Sequence, residues 1–189
     1  KAGSVSDSIV ENVDFAPLIL DFAGVKTPSY MQGKTFKSII ETGQEPETWK
    51  KAAYYRYWMH MAHHWNPGHF GIRSKDFKLI FFYGVDYKER GVAQTPPAWE
   101  FYDLRKDPKE NVNQYDNPEY KSVVNEMKEQ LKALREQHKD TDEEFPHIKQ
   151  VVDEFWDYSD EDRLKAIEIS HKLAAEGKTN PMNRAKKKK

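Results

Sequence analysis

Residues 69–83 read HFGIRSKDFKLIFFY, and this stretch decides the fold. Two runs rich in apolar and aromatic residues flank Ser74-Lys75-Asp76, so the segment predicts two strands joined at that trio, or one bent strand. Period two puts His69, Gly71 and Arg73 on one face, with Phe70 and Ile72 on the other. The apolar pair should face a core, and the polar set solvent or a cleft. Gly71, lacking a side chain, leaves room there for a ligand or another backbone.

Working outward, AYYRYWMH (53–60) is rich in aromatics and predicts a preceding strand. HHWNPGH (63–69) predicts a loop, marked by Asn66-Pro67-Gly68. After a loop around Gly91 and Pro96-Pro97, WEFYDL (99–104) predicts a further strand, giving a small antiparallel sheet of three or four strands. Asn117 and Pro118 then open a helix with Tyr120, Val123, Val124, Met127, Leu131 and Leu134 at helical spacing. That helix should cover one face of the sheet.

Near the start, Ser6–Val10 could form a short strand. Asp14 then stands as N-cap to a helix with Phe15, Leu18, Ile19 and Phe22 on one face, Pro17 in its first turn and Gly24 as its stop. A loop through Pro28 and Gly33 follows, and residues 42–50 are polar and turn-rich. A last helix starts at Ser159, with Asp162 completing an imperfect capping box. It carries Leu164, Ile167, His171 and Ala174, and Gly177 ends it. Arg184 and four terminal lysines form a solvated tail, or in a sharper reading a polyanion contact.

Composition limits the function classes. Acids (31) and bases (30) nearly cancel over 189 residues, so no overall charge points to nucleic acid. Apolar residues reach only 38% against 32% charged, thin for a self-sufficient core, and they concentrate before about residue 135. The later part is therefore expected to be peripheral. With no cysteine there is no disulfide, no Cys-ligated zinc and no thiol catalysis. No apolar run is long enough to cross a bilayer. The chain opens at Lys1 without Met, which suggests a fragment or a processed product.

Three stretches in series resemble one family: SIVENVDFAPLILDFAGVKTPSYMQGKTF (8–36), the hairpin HFGIRSKDFKLIFFY (69–83), and WEFYDLRKDPKENVN (99–113) followed by NPEYKSVVNEMKEQLKALR (117–135). Their order and spacing are similar to the C-terminal portion of formylglycine-dependent sulfatases. The similarity is greatest to those acting on sulfated sugars, including N-sulfoglucosamine sulfohydrolases and their bacterial relatives. It runs over roughly residues 5 to 140 and does not reach 143–189. The fold it implies is α+β: a small antiparallel sheet packed against a long helix, the C-terminal subdomain of an alkaline-phosphatase-like α/β sulfatase. Residues 1–50 would end the large α/β domain and its linker, 51–140 would be the subdomain, and 141–189 a helical extension with a basic tail. The helix at Phe15–Phe22 would then bury its apolar face against an N-terminal sulfatase domain absent from this chain. The family location is secreted, periplasmic or lysosomal, although this chain carries no signal.

In that family a formylglycine, made from Cys or Ser in a C/S-x-P-x-R motif, attacks sulfur, while calcium offsets the sulfate charge. This chain has no Cys and no Ser-x-Pro-x-Arg. No catalytic or metal-ligating residue is assigned here, and the formylglycine and calcium would belong to the parent enzyme. What remains is recognition of a sulfated carbohydrate. His60, His63, His64 and His69 crowd into ten residues without a carboxylate among them, a poor zinc pattern. Imidazole suits sugar hydroxyls or sulfate. The resemblance puts the hairpin histidine near the substrate pocket, so His69 is the first candidate, with His64 and Arg73 beside it. Arg73 suits sulfate geometrically, and a structural salt bridge suits it equally. Trp65 could stack on a sugar or pack a loop. Asp103, Asp107 and Glu110 suit turns and caps. Two rival readings are a non-catalytic carbohydrate-binding or interaction module, and a phosphodiesterase or phosphonate hydrolase relative.

Overall fold

The computed structural model describes residues 3–62 and 64–176. The chain divides into two compact units: one runs to Ala53 and takes in Arg73–Lys75, and the other holds Tyr54–Ile72 and the chain from Asp76 onward.

The first unit contains α1 (Phe15–Phe22) and α2 (Lys37–Thr42). The expected strand at Ser6–Val10 is absent: no strand pairs with it among the described residues, and the Ile9 carbonyl instead accepts the Trp49 indole N–H at 3.0 Å. Asp14 is not a side-chain cap for α1. A 3-10 turn, Asn12–Asp14, leads into the helix, and the Asp14 carboxylate turns back to the Glu11 N–H at 2.8 Å. It also accepts the Lys34 N–H at 2.9 Å and the Lys50 ammonium at 2.7 Å, while fully buried. Gly33 lies so close to the Val13 carbonyl that a Cβ there would overlap it. Asp14 and Gly33 thus stitch the helix entry to the following loop. Gly24 ends α1 as expected, at φ +70°. Along α1 only Pro17 and Leu18 are buried, whereas Phe15, Ile19 and Phe22 are 50%, 67% and 55% exposed.

The sheet has four strands in the order β1 (Ala52–Tyr57), β2 (His69–Ser74), β3 (Phe77–Phe82), β4 (Ala98–Asp103). The hairpin therefore resolves into two strands. β3 and β4 pair antiparallel, Phe77 opposite Asp103 and Phe82 opposite Ala98. Alternation holds as expected: Phe70, Ile72, Leu79, Phe81, Trp99 and Phe101 are all buried on one face. The long helix α3 (Lys121–Gln137) covers that face through Val124, Met127 and Leu131. Each such side chain contributes roughly 1.5–3 kcal/mol.

The extension is part of this core, which corrects its expected peripheral role. α4 (Pro146–Phe155) buries Ile148, Val151, Val152 and Phe155. Trp156 just beyond it meets Trp99 edge-on at 5.1 Å and Phe81 at 6.2 Å. Lys128 lies over the Trp99 ring at 4.4 Å and donates to the Trp156 carbonyl at 2.6 Å; burial pushes its ammonium down to about 8. In α5 (Asp160–Ala175) the capping box of Ser159 and Asp162 forms as expected. Its phase differs, however: Asp162 and Ala166 turn inward, which carries Leu164 and Ile167 into solvent. Gly177 and the basic tail lie outside the described residues.

Candidate functional site

The face of the sheet opposite α3 carries aromatic and polar side chains together. Ile80, Tyr102 and Leu104 form a small cluster there, with Tyr55 and Phe82 packed against it. His69 opens β2 beside them. Its ring stacks on Tyr57 at 5.3 Å, tilts against Phe82 at 4.9 Å and meets Tyr55 edge-on at 6.0 Å. Its Nδ1 lies 2.8 Å from the Pro67 carbonyl, which can only accept, so Nδ1 carries the proton. In the neutral ring Nε2 is then the acceptor. Burial lowers the His69 pKa, and Lys78 lowers it further; the Pro67 hydrogen bond and Glu100 oppose.

Gly71 makes the space predicted for it, but the space is filled: a Cβ would come within 2.9 Å of the Tyr55 hydroxyl oxygen and would overlap the Leu79 backbone carbonyl. The glycine lets the neighbouring strand and an aromatic ring close on β2.

The other candidates separate. His64 is exposed on the loop before β2, with φ 52°. Trp65 follows it, partly exposed, at φ 58°. Arg73 is exposed and groups with the first unit, whereas His69 belongs to the second. His63 lies outside the described residues. His60 is fully buried, unlike its exposed neighbour His64, a difference that their crowding concealed in the sequence. The aromatic flank of His69 was also missed, although Tyr55 and Tyr57 stand at period two in AYYRY. Asp103 and Asp107 act in turns as expected, whereas Glu110, expected in a turn or cap, makes an ion pair. Asp103 is held well below the usual carboxylate range by Arg105, against burial and with Tyr120 helping. Asp107 accepts the Asn111 and Val112 N–H groups, and Glu110 pairs with Lys78. Among the described residues no three His, Asp or Glu side chains are grouped to hold a metal ion. With no cysteine and no Ser-x-Pro-x-Arg in the sequence, the residues present do not fit a formylglycine, and the described carboxylates do not fit calcium.

The buried imidazoles set a pH dependence. His60 and His69 have folded pKa values below 6.5, burial being the first cause in both. The unfolded chain binds protons near 6.5 that the folded chain refuses. Stability of the second unit should therefore be full above pH 6.5 and fall as pH drops toward the folded values. Urea midpoints across that range should show this slope, reduced in His69→Phe; a midpoint that rises on acidification would contradict it.

Comparison with known proteins gives this fold a family. The N-sulphoglucosamine sulphohydrolase C-terminal family matches residues 1–137. An N-acetylglucosamine-6-O-sulfatase of Bacteroides thetaiotaomicron is 44% identical over 153 residues, covering 80% of this chain and 25% of that protein. An arylsulfatase of Clostridium perfringens is 31% identical, covering 69% of this chain and 24% of its own length. A structure solved in complex with its substrate D-glucosamine-2-N,6-O-disulfate superposes with TM-score 0.67 at 44% identity, over 75% of this chain and 27% of that one. The phosphonate monoester hydrolase of Agrobacterium radiobacter superposes with TM-score 0.50 at 27% identity, over 66% and 24%. The fold is that of the C-terminal subdomain of alkaline-phosphatase-like sulfatases. The chain belongs to the N-sulphoglucosamine sulphohydrolase C-terminal family, and it spans about a quarter of the length of the sulfatases it matches.

Proposed function

We propose that this chain is the C-terminal part of a carbohydrate sulfatase, where it helps to recognise a sulfated glucosamine unit of a glycan and does not supply the nucleophile. The observation that carries the recognition role is His69. Its Nδ1–H is committed to Pro67, and its ring is wedged among Tyr55, Tyr57 and Phe82, which fixes where Nε2 sits. Neutral Nε2 accepts a hydrogen bond, so the fitting partner is a sugar hydroxyl; only the protonated ring would donate to sulfate. His64 and Arg73 are offered as further contacts. Identity of 44% to an N-acetylglucosamine-6-O-sulfatase supports the sugar class.

In the complete enzyme, calcium and formylglycine would come from sequence outside this chain, the formylglycine supplying the attacking oxygen. Residues 1–50 would close the large domain, with the exposed Phe15, Ile19 and Phe22 of α1 docking on it. Residues 51–140 would form the subdomain and 141–189 its extension. A secreted, periplasmic or lysosomal location goes with that family. No described helix is long and apolar enough to cross a membrane.

The purified chain should show no turnover of an aryl sulfate with calcium present, beside an active sulfatase as control; reproducible turnover would contradict the assignment. The recognition role is tested in the complete enzyme with His69→Phe, which keeps a ring among the aromatics and removes Nε2 together with the Nδ1–H bond to Pro67. Losing a contact of about 1–3 kcal/mol should lower kcat/KM for the glycan roughly 5- to 150-fold. A small aryl sulfate lacks the sugar and should lose much less. Equal losses on both substrates would point to catalysis or folding instead. The phosphonate hydrolase likeness supports a second reading, and turnover of a phosphonate monoester but not a sulfate by the complete enzyme would favour it.

A further inference from the structure

We infer that His60 is a positioning residue: as a neutral imidazole with its proton on Nε2, it clips the loop before β2 to the loop after β3 and so fixes the backbone from which His69 projects. The consequence for activity rests on the function proposed above; the clip itself does not. His60 Nδ1 accepts the Gly68 N–H at 3.0 Å, and its Nε2 lies 3.0 Å from the Ala93 carbonyl. An amide N–H can only donate and a carbonyl can only accept. The two partners therefore dictate a single tautomer, and a proton on Nδ1 would face the Gly68 N–H and break the clip.

Gly68 is held on its other side as well. Its carbonyl accepts the Tyr83 N–H at 3.0 Å and the Gly84 N–H at 3.1 Å, and a Cβ on Gly68 would strike the Tyr83 ring. The Tyr83 hydroxyl in turn donates to the Tyr57 carbonyl at 3.0 Å. The loop between is strained: Met61, His64 and Trp65 have φ of 53°, 52° and 58°, in the left-handed region that side chains avoid. Such conformations persist only where the surroundings over-determine them. Internal hydrogen bonds hold the base, from the Met61 N–H to the Asn66 carbonyl and from the Ala62 N–H to the Met59 carbonyl. His60 adds a side-chain tie, through Ala93, to the loop that Tyr83 and Gly84 already join to Gly68. Burial keeps it neutral, Asp86 favours its protonation and Arg90 opposes it.

Two half-isosteres separate the bonds. In His60→Asn the amide oxygen overlays Nδ1 and can still accept from Gly68, but nothing reaches Ala93. In His60→Gln the amide nitrogen overlays Nε2 and can donate to Ala93, but Gly68 is released. On the full chain, imidazole ¹⁵N shifts near neutral pH should show Nδ1 bare and Nε2 protonated. The Gly68 and His69 amides should stay protected from exchange in His60→Asn and lose protection in His60→Gln. The opposite tautomer, averaged nitrogen shifts, or equal protection in both variants would overturn the clip. In the complete enzyme, His60→Gln should lower kcat/KM for a glucosamine-6-sulfate glycan roughly tenfold relative to an aryl sulfate, while His60→Asn stays within about threefold of wild type. Losses that track Tm equally in both variants, on both substrates, would reduce His60 to a structural residue. Wild-type enzyme inactive on both sulfates would instead sink the sulfatase reading and the positioning role with it, leaving the exchange and nitrogen data to decide the clip alone.

Discussion

Asp14→Ala should destabilise the first unit by about 3–5 kcal/mol, the range for removing one partner of a buried ion pair. The Asp14 side chain is fully buried and Lys50 nearly so. The carboxylate accepts from two backbone N–H groups, of Glu11 and Lys34, as well as from the Lys50 ammonium. Alanine leaves all three donors without that acceptor. Glu11 still reaches Lys50 at 2.6 Å, which points to the lower end of the range. Hydrogen exchange over residues 9–36 should accelerate markedly, because the helix entry and the Gly33 loop lose their common anchor. Asp21→Ala is the control: that half-exposed carboxylate pairs with Lys37 and accepts from the Thr35 hydroxyl, with no fully buried partner, and should cost less, about 1 kcal/mol. If the two variants lose equal stability, the buried hub is not the anchor described.

That hub shows where sequence reading succeeds and where it stops. The hairpin was legible because Phe70, Ile72, Leu79 and Phe81 alternate cleanly, and burial on one face fixes strand and register together. The helix stop at Gly24 and the box at Ser159 and Asp162 were legible because they are local. Asp14 was legible only as a short polar residue before an apolar run. Beyond the nearby Glu11 N–H, its partners lie 20 and 36 residues away, and no local rule reaches them. α4 was missed although Ile148, Val151, Val152 and Phe155 carry helical spacing. The low overall apolar content of the tail hid four side chains that are buried. His69 was singled out as a candidate by its strand and by family resemblance. Its tautomer depends on the Pro67 carbonyl, and the role of His60 depends on Gly68 and Ala93, contacts that exist only once the loops have folded.

Asp142→Asn should cost the second unit on the order of 3 kcal/mol, because it removes the charge that two buried guanidiniums share and leaves Asp140 as the one carboxylate facing both. Asp142 accepts from both Arg56 of β1 and Arg135 of α3, and all three side chains are almost wholly buried. Asp140 also pairs with Arg56 and accepts from the Tyr54 hydroxyl, so two acids balance two arginines. The rings around them add to the hold: Arg56 lies 3.7 Å from the centre of Trp58, and Arg135 lies 4.1 Å from that of Phe70. Asparagine matches the shape of Asp142 and tolerates its φ of 66°, so the loss reports the charge rather than the backbone. The family match ends at residue 137, yet this acid beyond it fastens the strand that leads into the loop before β2. Exchange protection should therefore fall at residues 58–60 as well as around Arg56. A cycle with Arg56→Met should be non-additive by at least about 1 kcal/mol, since each change removes the same interaction. Additive losses, or a cost for Asp142→Asn below about 1 kcal/mol, would mean that the arginines find other partners and that the extension is not fastened to the sheet by charge.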